Sequence, residues 1–155
     1  MYKIREYQLF RDEDKHPSLR IKKEFVYETN RFDESVDIAR LMVDLYSMHE
    51  FFIEHSYVVG FNFSNEILGI VELGQETDTH VHMSSKILFI ALLLMGANKF
   101  VILHNHPNNV NEPSIADINL GSTVKLGAQL LDLNFADQII ICEEDFYSMA
   151  ANGLM

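Results

Sequence analysis

The segment Phe100-Val101-Ile102-Leu103-His104-Asn105-His106-Pro107 limits the fold of this chain more than any other. Four apolar residues in a row mark a strand with both faces covered, which requires a layer of structure on each side of its sheet. Pro107 ends the run, because it offers no N–H to a ladder, and it biases His106 toward extended backbone. At that spacing His104 and His106 project from one face of the strand, close enough to share an ion. Shortly after, Pro113-Ser114-Ile115-Ala116-Asp117 has the form of a helix start, with Ser114 as the cap and Asp117 in the first turn. Two imidazoles and a carboxylate thus meet where a strand ends and a helix begins. Three protein ligands with a fourth position open is the donor set of a catalytic metal ion, not a structural one.

Each piece alone has an ordinary explanation: a surface His pair, and a capping box. Their conjunction within one short loop is what points to a metal, and imidazole with carboxylate suits zinc ahead of iron or manganese. Two other zinc patterns do not fit. A metallo-β-lactamase-like site wants an Asp-His pair after the second histidine, where Pro107-Asn108-Asn109 stands, and nucleobase deaminases need a Pro-Cys-x-x-Cys. Cys142 is the single cysteine, so no internal disulfide forms and a reducing, cytoplasmic compartment is expected. Within Gln138-Ile139-Ile140-Ile141-Cys142 it reads as a buried, inert thiol.

The rest of the sequence predicts one domain over its 155 residues. Residues 1–32 read as a polar N-terminal extension or as an edge strand and helix, with Glu24 to Tyr27 a short strand. Asp33 is placed to cap a helix whose Ile38, Leu41, Met42 and Leu45 form one apolar stripe. Tyr57 to Phe63 and Ile67 to Leu73 form a hairpin across Ser64-Asn65-Glu66. A helix capped by Ser84 or Ser85 runs to Met95 and closes at Gly96; its near-total apolarity predicts burial on most sides. After the strand from Lys99 to His104 come a helix from Ser114 to about Leu131 and a strand from Ile139 to Cys142. Phe146 to Met149 pairs with that strand. The sum is a mixed α/β fold, a layered mixed sheet flanked by helices.

A formal charge of −11 and a pI near 4.9 repel a polyanion, so direct nucleic-acid binding is not expected. The most apolar stretch, Ile87 to Ala97, is too short to span a bilayer, so no membrane role is expected.

The pattern His104-x-His106-Pro107, then Ser114-x-x-Asp117, resembles the JAMM motif of JAB/MPN metalloproteases. The wording His-Asn-His-Pro with Pro-Ser-x-x-Asp behind it is similar to the RadC-like JAB domain in particular, and the likeness extends from about Glu54 to Leu154. The resemblance implies a JAB/MPN-like (cytidine-deaminase-like) architecture and one zinc ion held by His104, His106 and Asp117. It also implies a glutamate as general base, Ser114 assisting at the developing oxyanion, and a protein or peptide substrate whose amide bond is cleaved. By residues alone Glu50, Glu54, Glu66 and Glu72 all qualify as the base. The family places it just before a strand of the type Val58-Val59-Gly60-Phe61-Asn62, which picks Glu54, with Glu50 second.

Three departures from the family's usual wording concern residues around the site. Asn108-Asn109 stands for Ser-Gly, and Asn tolerates left-handed backbone better than most residues. Val81-His82-Met83-Ser84-Ser85 stands for Val-His-Pro-Arg-Glu, and Gln138 for a histidine. A helix-hairpin-helix region, frequent at the N-terminus of RadC proteins, is not expected here. His80 and His82 read as turn or surface residues. The alternative function is a non-catalytic JAB-fold scaffold or a DNA-repair-associated accessory protein.

Overall fold

Lys99–Asn105 (β5), the strand that ends in the His-x-His pair, lies between two neighbours in a seven-stranded mixed sheet. The structure, a computed structural model, describes residues 1–75 and 83–155. The other strands are β1 (Tyr2–Arg11), β2 (Pro17–Tyr27), β3 (His55–Phe61), β4 (Ile67–Gln75), β6 (Asn134–Ile141) and β7 (Phe146–Ser148). Their order across the sheet is β2-β1-β4-β3-β5-β6-β7. Helices α1 (Ser35–Tyr46), α2 (Ser85–Met95) and α3 (Ile115–Leu130) flank it, and a 3₁₀ turn at Met48–Glu50 follows α1.

Alternation along each central strand sorts its side chains between two cores. Tyr57, Val59, Phe61, Val101, Leu103, Ile139 and Ile141 pack on the α1 side with Ile38, Leu41 and Met42. Val58, Phe100 and Ile102 face the other way, against Leu88, Ala91 and Leu92 of α2 and Val124 and Ala128 of α3. That two-sided burial is why β3 and β5 read as unbroken apolar runs. His104 has the parity of Phe100 and Ile102, so it faces the layer that holds α3.

Chain connectivity then brings the site together. β5 is parallel to β6, with α3 as the crossover, and antiparallel to β3. The carboxyl end of β5, the amino end of α3 and the residues leading into β3 therefore meet at one edge of the layers. In open α/β sheets this is where ligands sit, outside the carboxyl ends of parallel strands.

Several local expectations change. The first 32 residues contain two long strands and no helix. They form an antiparallel hairpin from Tyr2↔Tyr27 to Arg11↔Pro17, joined to β4 through Glu6↔Ile70 and Tyr7↔Val71. Asp33 does not cap α1: Glu34 is the cap residue and makes no side-chain capping bond, while the Asp33 carboxylate takes Arg31 and Asn65. The apolar helix α2 is capped by Ser84 and closed by left-handed Gly96, but it is not buried on most sides. Ile87, Leu93 and Leu94 are 40%, 55% and 45% exposed. β6 begins at Asn134, five residues before the expected Ile139, where it pairs with Lys99 at the start of β5.

Candidate metal centre

Glu54, His104, His106 and Asp117 each offer one ligand atom, and those atoms all lie within 4.8 Å of one another. His104 Nε2 stands 3.1 Å from His106 Nε2 and 3.1 Å from Asp117 Oδ1, and His106 Nε2 is 3.4 Å from Asp117 Oδ2. A first-row divalent ion bonded at roughly 2.0–2.2 Å separates neighbouring ligand atoms by roughly 2.8–3.6 Å, for angles from about 90° to tetrahedral. The spacing of these three donors fits such an ion. Glu54 Oε1 is farther out, 3.8 Å from His104 Nε2. A cleft of about 430 Å³, lined by Glu54, His106, Pro107, Glu112, Ser114 and Asp117 among others, opens onto the cluster.

His106 has its tautomer fixed. Its Nδ1 lies 2.8 Å from the carbonyl oxygen of Val110. A carbonyl only accepts, so the neutral ring carries its proton on Nδ1 and turns the Nε2 lone pair to the cluster. The loop that presents Val110 is held by the two asparagines of the motif. Asn108 Oδ1 accepts from Val110 N–H, Asn109 Oδ1 accepts from Glu143 N–H, and Asn109 adopts φ 58°. Left-handed backbone is thus present where the family usually has glycine. The buried Cys142 thiol also donates to Val110 O, and burial pushes its pKa up.

Asp117 enters from the first turn of α3, where it forms a complete capping box with Ser114. Its Oδ2 accepts from the Ser114 backbone N–H and from the Ser114 hydroxyl, both at 2.7 Å, while the Ser114 Oγ accepts from Asp117 N–H. Oδ2 is thereby occupied, and Oδ1 is the oxygen left facing His104. Burial works against the charge on Asp117. The neighbouring His104 and His106 rings and the hydrogen bonds from Ser114 outweigh it and hold the carboxyl well below the usual carboxylate range. Burial likewise opposes the charged form of His106, yet Asp117 and the Val110 carbonyl raise its pKa overall. Gln138, fully buried, donates from Nε2 to the Asp117 backbone carbonyl at 3.1 Å.

Of the four glutamates that sequence left open, Glu54 alone is in the cluster. Glu50 has a side chain 72% exposed and sits beside His49; Glu66 accepts from Asn62; Glu72 pairs with His55 and Lys22. His80 and His82 lie outside the described residues. The contacts of Asn105, Val110 and Gln138 were not anticipated. Asn105, buried at 2% exposure, accepts from His55 N–H and donates to Ile53 O, one residue on either side of Glu54.

A helix-flanked mixed sheet with two histidines and an aspartate clustered at one strand end defines a JAB/MPN-like domain with a cluster that could hold a metal ion. Residues 32–154 match the family model of the RadC-like JAB domain, and the chain belongs to that family. The match begins after the β1–β2 hairpin. Among its relatives, a UPF0758 protein of Trichodesmium erythraeum is 39% identical over 79 residues, covering 50% of this chain and 32% of the relative. One from Chlorobaculum parvum is 30% identical over 104 residues, 66% of this chain and 46% of the relative. One from Desulfitobacterium hafniense is 29% identical over 121 residues, 77% and 52% respectively. The chain spans about half or less of the length of these relatives. Among the described residues, no helix is long and apolar enough to cross a membrane.

Proposed function

We propose that this chain is a zinc-dependent hydrolase that cleaves an amide bond, peptide or isopeptide, in a protein or peptide substrate. The observation that carries the reading is the spacing of His104 Nε2, His106 Nε2 and the Asp117 carboxylate, with Glu54 beside them at the mouth of an open cleft. Two neutral imidazoles and one carboxylate are a donor set zinc accepts, and they leave a position for solvent. Held by His104, His106 and Asp117, the ion would supply Lewis acidity, lowering the pKa of water from about 15.7 toward about 7.

The chain's own groups do the remaining work. Glu54 Oε1 takes a proton from the attacking water and returns it to the nitrogen of the leaving amine. His106 and Asp117 are held in place by the Val110 carbonyl and by Ser114. The Ser114 hydroxyl turns from Asp117 to the substrate oxygen as the carbonyl carbon becomes tetrahedral; a well-placed donor of this kind contributes about 3–4 kcal/mol. The net charge of −11 argues against DNA as the substrate.

The test is a peptide-library cleavage assay on zinc-loaded protein with a chelator control, beside metal analysis of the variants. Glu54→Gln is expected to keep zinc and lose turnover, whereas His104→Ala, His106→Ala and Asp117→Ala lose the metal. Wild-type protein that stays metal-free after loading, or a fully active Glu54→Gln, overturns the reading. Bound zinc with no cleavage of any peptide favours the scaffold role instead.

A further inference from the structure

We infer that Asn105 is a positioning residue for Glu54: its buried amide ties the backbone on both sides of Glu54 to the strand carrying His104 and His106. The inference rests on the reading of Glu54 as the group that moves the proton.

The backbone ladder between β3 and β5 ends at Ser56↔His104. One step further, where His55 and Asn105 would pair, the Asn105 side chain takes over from the backbone. Its Oδ1 accepts from His55 N–H at 2.7 Å and its Nδ2 donates to Ile53 O at 3.0 Å. Phe51 to Glu54 belong to no strand or helix, and Phe52 is 94% exposed, so neither ladder bonds nor core burial fix this stretch at that residue. The clip holds the chain on both sides of Glu54. His55 is anchored a second time through its ring, with Nδ1 2.7 Å from Glu72 Oε1 and Phe51 packed on it at 4.3 Å between centroids.

Only one side chain satisfies both backbone groups from this position. The clip needs a donor and an acceptor on a short planar head. Asp lacks the donor, Ser offers one atom where two are required, and Ala removes this partner from a partly buried N–H and C=O. The donor and acceptor roles of Ile53 O and His55 N–H also settle which way the Asn105 amide faces. Loss of the clip loosens the backbone on both sides of Glu54 and with it the placing of its carboxylate beside the cluster, while His104, His106 and Asp117 keep their places.

The test uses Asn105→Ala and Asn105→Ser, the latter retaining a hydroxyl should the former fail to fold, with Glu54→Gln as the reference. In amide hydrogen exchange, His55 N–H is expected to exchange at least about tenfold faster in either Asn105 variant, with Val58 and Val59 unchanged. In the cobalt(II)-loaded proteins, metal affinity holds at the wild-type value, and the visible absorption bands move in the direction seen for Glu54→Gln. Where peptide cleavage is measurable, kcat falls and KM stays. Unchanged His55 exchange overturns the proposal, as do wild-type bands in the Asn105 variants when Glu54→Gln has moved them. If Glu54→Gln leaves the bands unmoved and turnover intact, it is the Glu54 reading that fails, and the exchange result alone judges the clip.

Discussion

His106 and Val110 are joined ring to backbone: Nδ1 donates to the carbonyl oxygen across 2.8 Å, which leaves Nε2 as the only lone pair the neutral ring can offer the cluster. The fitness of the cluster for a metal therefore depends on a loop that contributes none of its four side chains. Partners of this kind, one bond removed from a metal, are typically worth about 10–100-fold in affinity.

Asn109 is where that dependence can be tested. At φ 58° an alanine is strained by roughly 1–2 kcal/mol, and the bond from Glu143 N–H is lost as well. Asn109→Ala is expected to lower the melting temperature and to weaken zinc binding by about tenfold. Asn109→Gly, which accepts that φ freely, should recover much of both. Thermal unfolding and competition with a chromophoric chelator read the two effects, and equal losses in the Ala and Gly variants would remove backbone conformation as their cause.

Ser114 performs two tasks that substitution separates. Its Oγ caps α3 by accepting from Asp117 N–H, and its proton orients Asp117 Oδ2. Ser114→Ala is expected to cost about 1 kcal/mol in metal-free protein, the usual value of such a cap. Zinc binding should weaken less than in Asp117→Ala, because Asp117 Oδ1 and the Ser114 backbone N–H bond to Oδ2 remain. Ser114→Thr should restore the cap. Denaturant unfolding of the apo-proteins, paired with metal titration, checks this; zinc loss as complete as in Asp117→Ala would give Ser114 a larger share in ligation.

Much of the architecture was legible because the informative signals are local. Strands covered on both faces, such as Phe100 to Leu103, write an unbroken apolar run, and His104, His106, Ser114 and Asp117 lie within one strand–loop–helix passage. Three things were not legible. The strand β1 buries only Ile4 and Glu6, so its alternation with charged residues leaves a weak pattern. The helix α2 is apolar all round, and composition cannot say which of its sides the fold leaves uncovered. The contacts of Asn105 with Ile53 and His55 span 52 and 50 residues, and that of Gln138 with Asp117 spans 21. Bonds at such separations leave no trace in spacing, since they exist only once β3, β5 and β6 are adjacent.

A charged network on the β1–β4 side gives a pH signature independent of the metal. Glu72 accepts from His55 Nδ1 at 2.7 Å, Gln75 Nε2 at 3.0 Å and Lys22 Nζ at 3.4 Å, while Glu6, Tyr46 and Tyr57 face the same group. Burial pushes the Glu72 carboxyl up, but these donors outweigh it and hold its pKa below the ordinary 4.5. A folded-state pKa below the unfolded one stabilises the native state above about pH 4.5, and that stability is lost as pH falls through the folded value. Glu72→Gln is therefore expected to show a shallower fall in unfolding free energy below that pH than wild type. Lys22, raised chiefly by its bond to Glu6, contributes in the opposite window: its share is lost as pH climbs through its folded value, above 10.5. Urea unfolding as a function of pH separates the two, and parallel acid limbs for wild type and Glu72→Gln would show that this network carries no linkage.

Two glycines of α3 distinguish packing from ligand support. A Cβ at Gly127 would meet the Phe89 ring at 2.5 Å, and one at Gly121 would meet Gln138 Oε1 at 2.6 Å. Each alanine gains roughly 0.8–1 kcal/mol of helix propensity, to be set against an overpacking cost of about 1–3 kcal/mol. At Gly127 the displaced ring lies between α2 and α3, remote from the ligands, so Gly127→Ala should change the melting temperature and leave zinc affinity alone. At Gly121 the displaced group is the amide whose Nε2 holds the Asp117 carbonyl, and its Oε1 already has no hydrogen-bond partner among the described residues. Moving that amide loosens the turn that presents Asp117. Gly121→Ala is accordingly expected to weaken zinc binding beyond what its change in stability accounts for. Chelator competition on both variants, each normalised to its own unfolding curve, decides: equal zinc affinities would mean that Gln138 fills space beneath α3 without steadying its ligand.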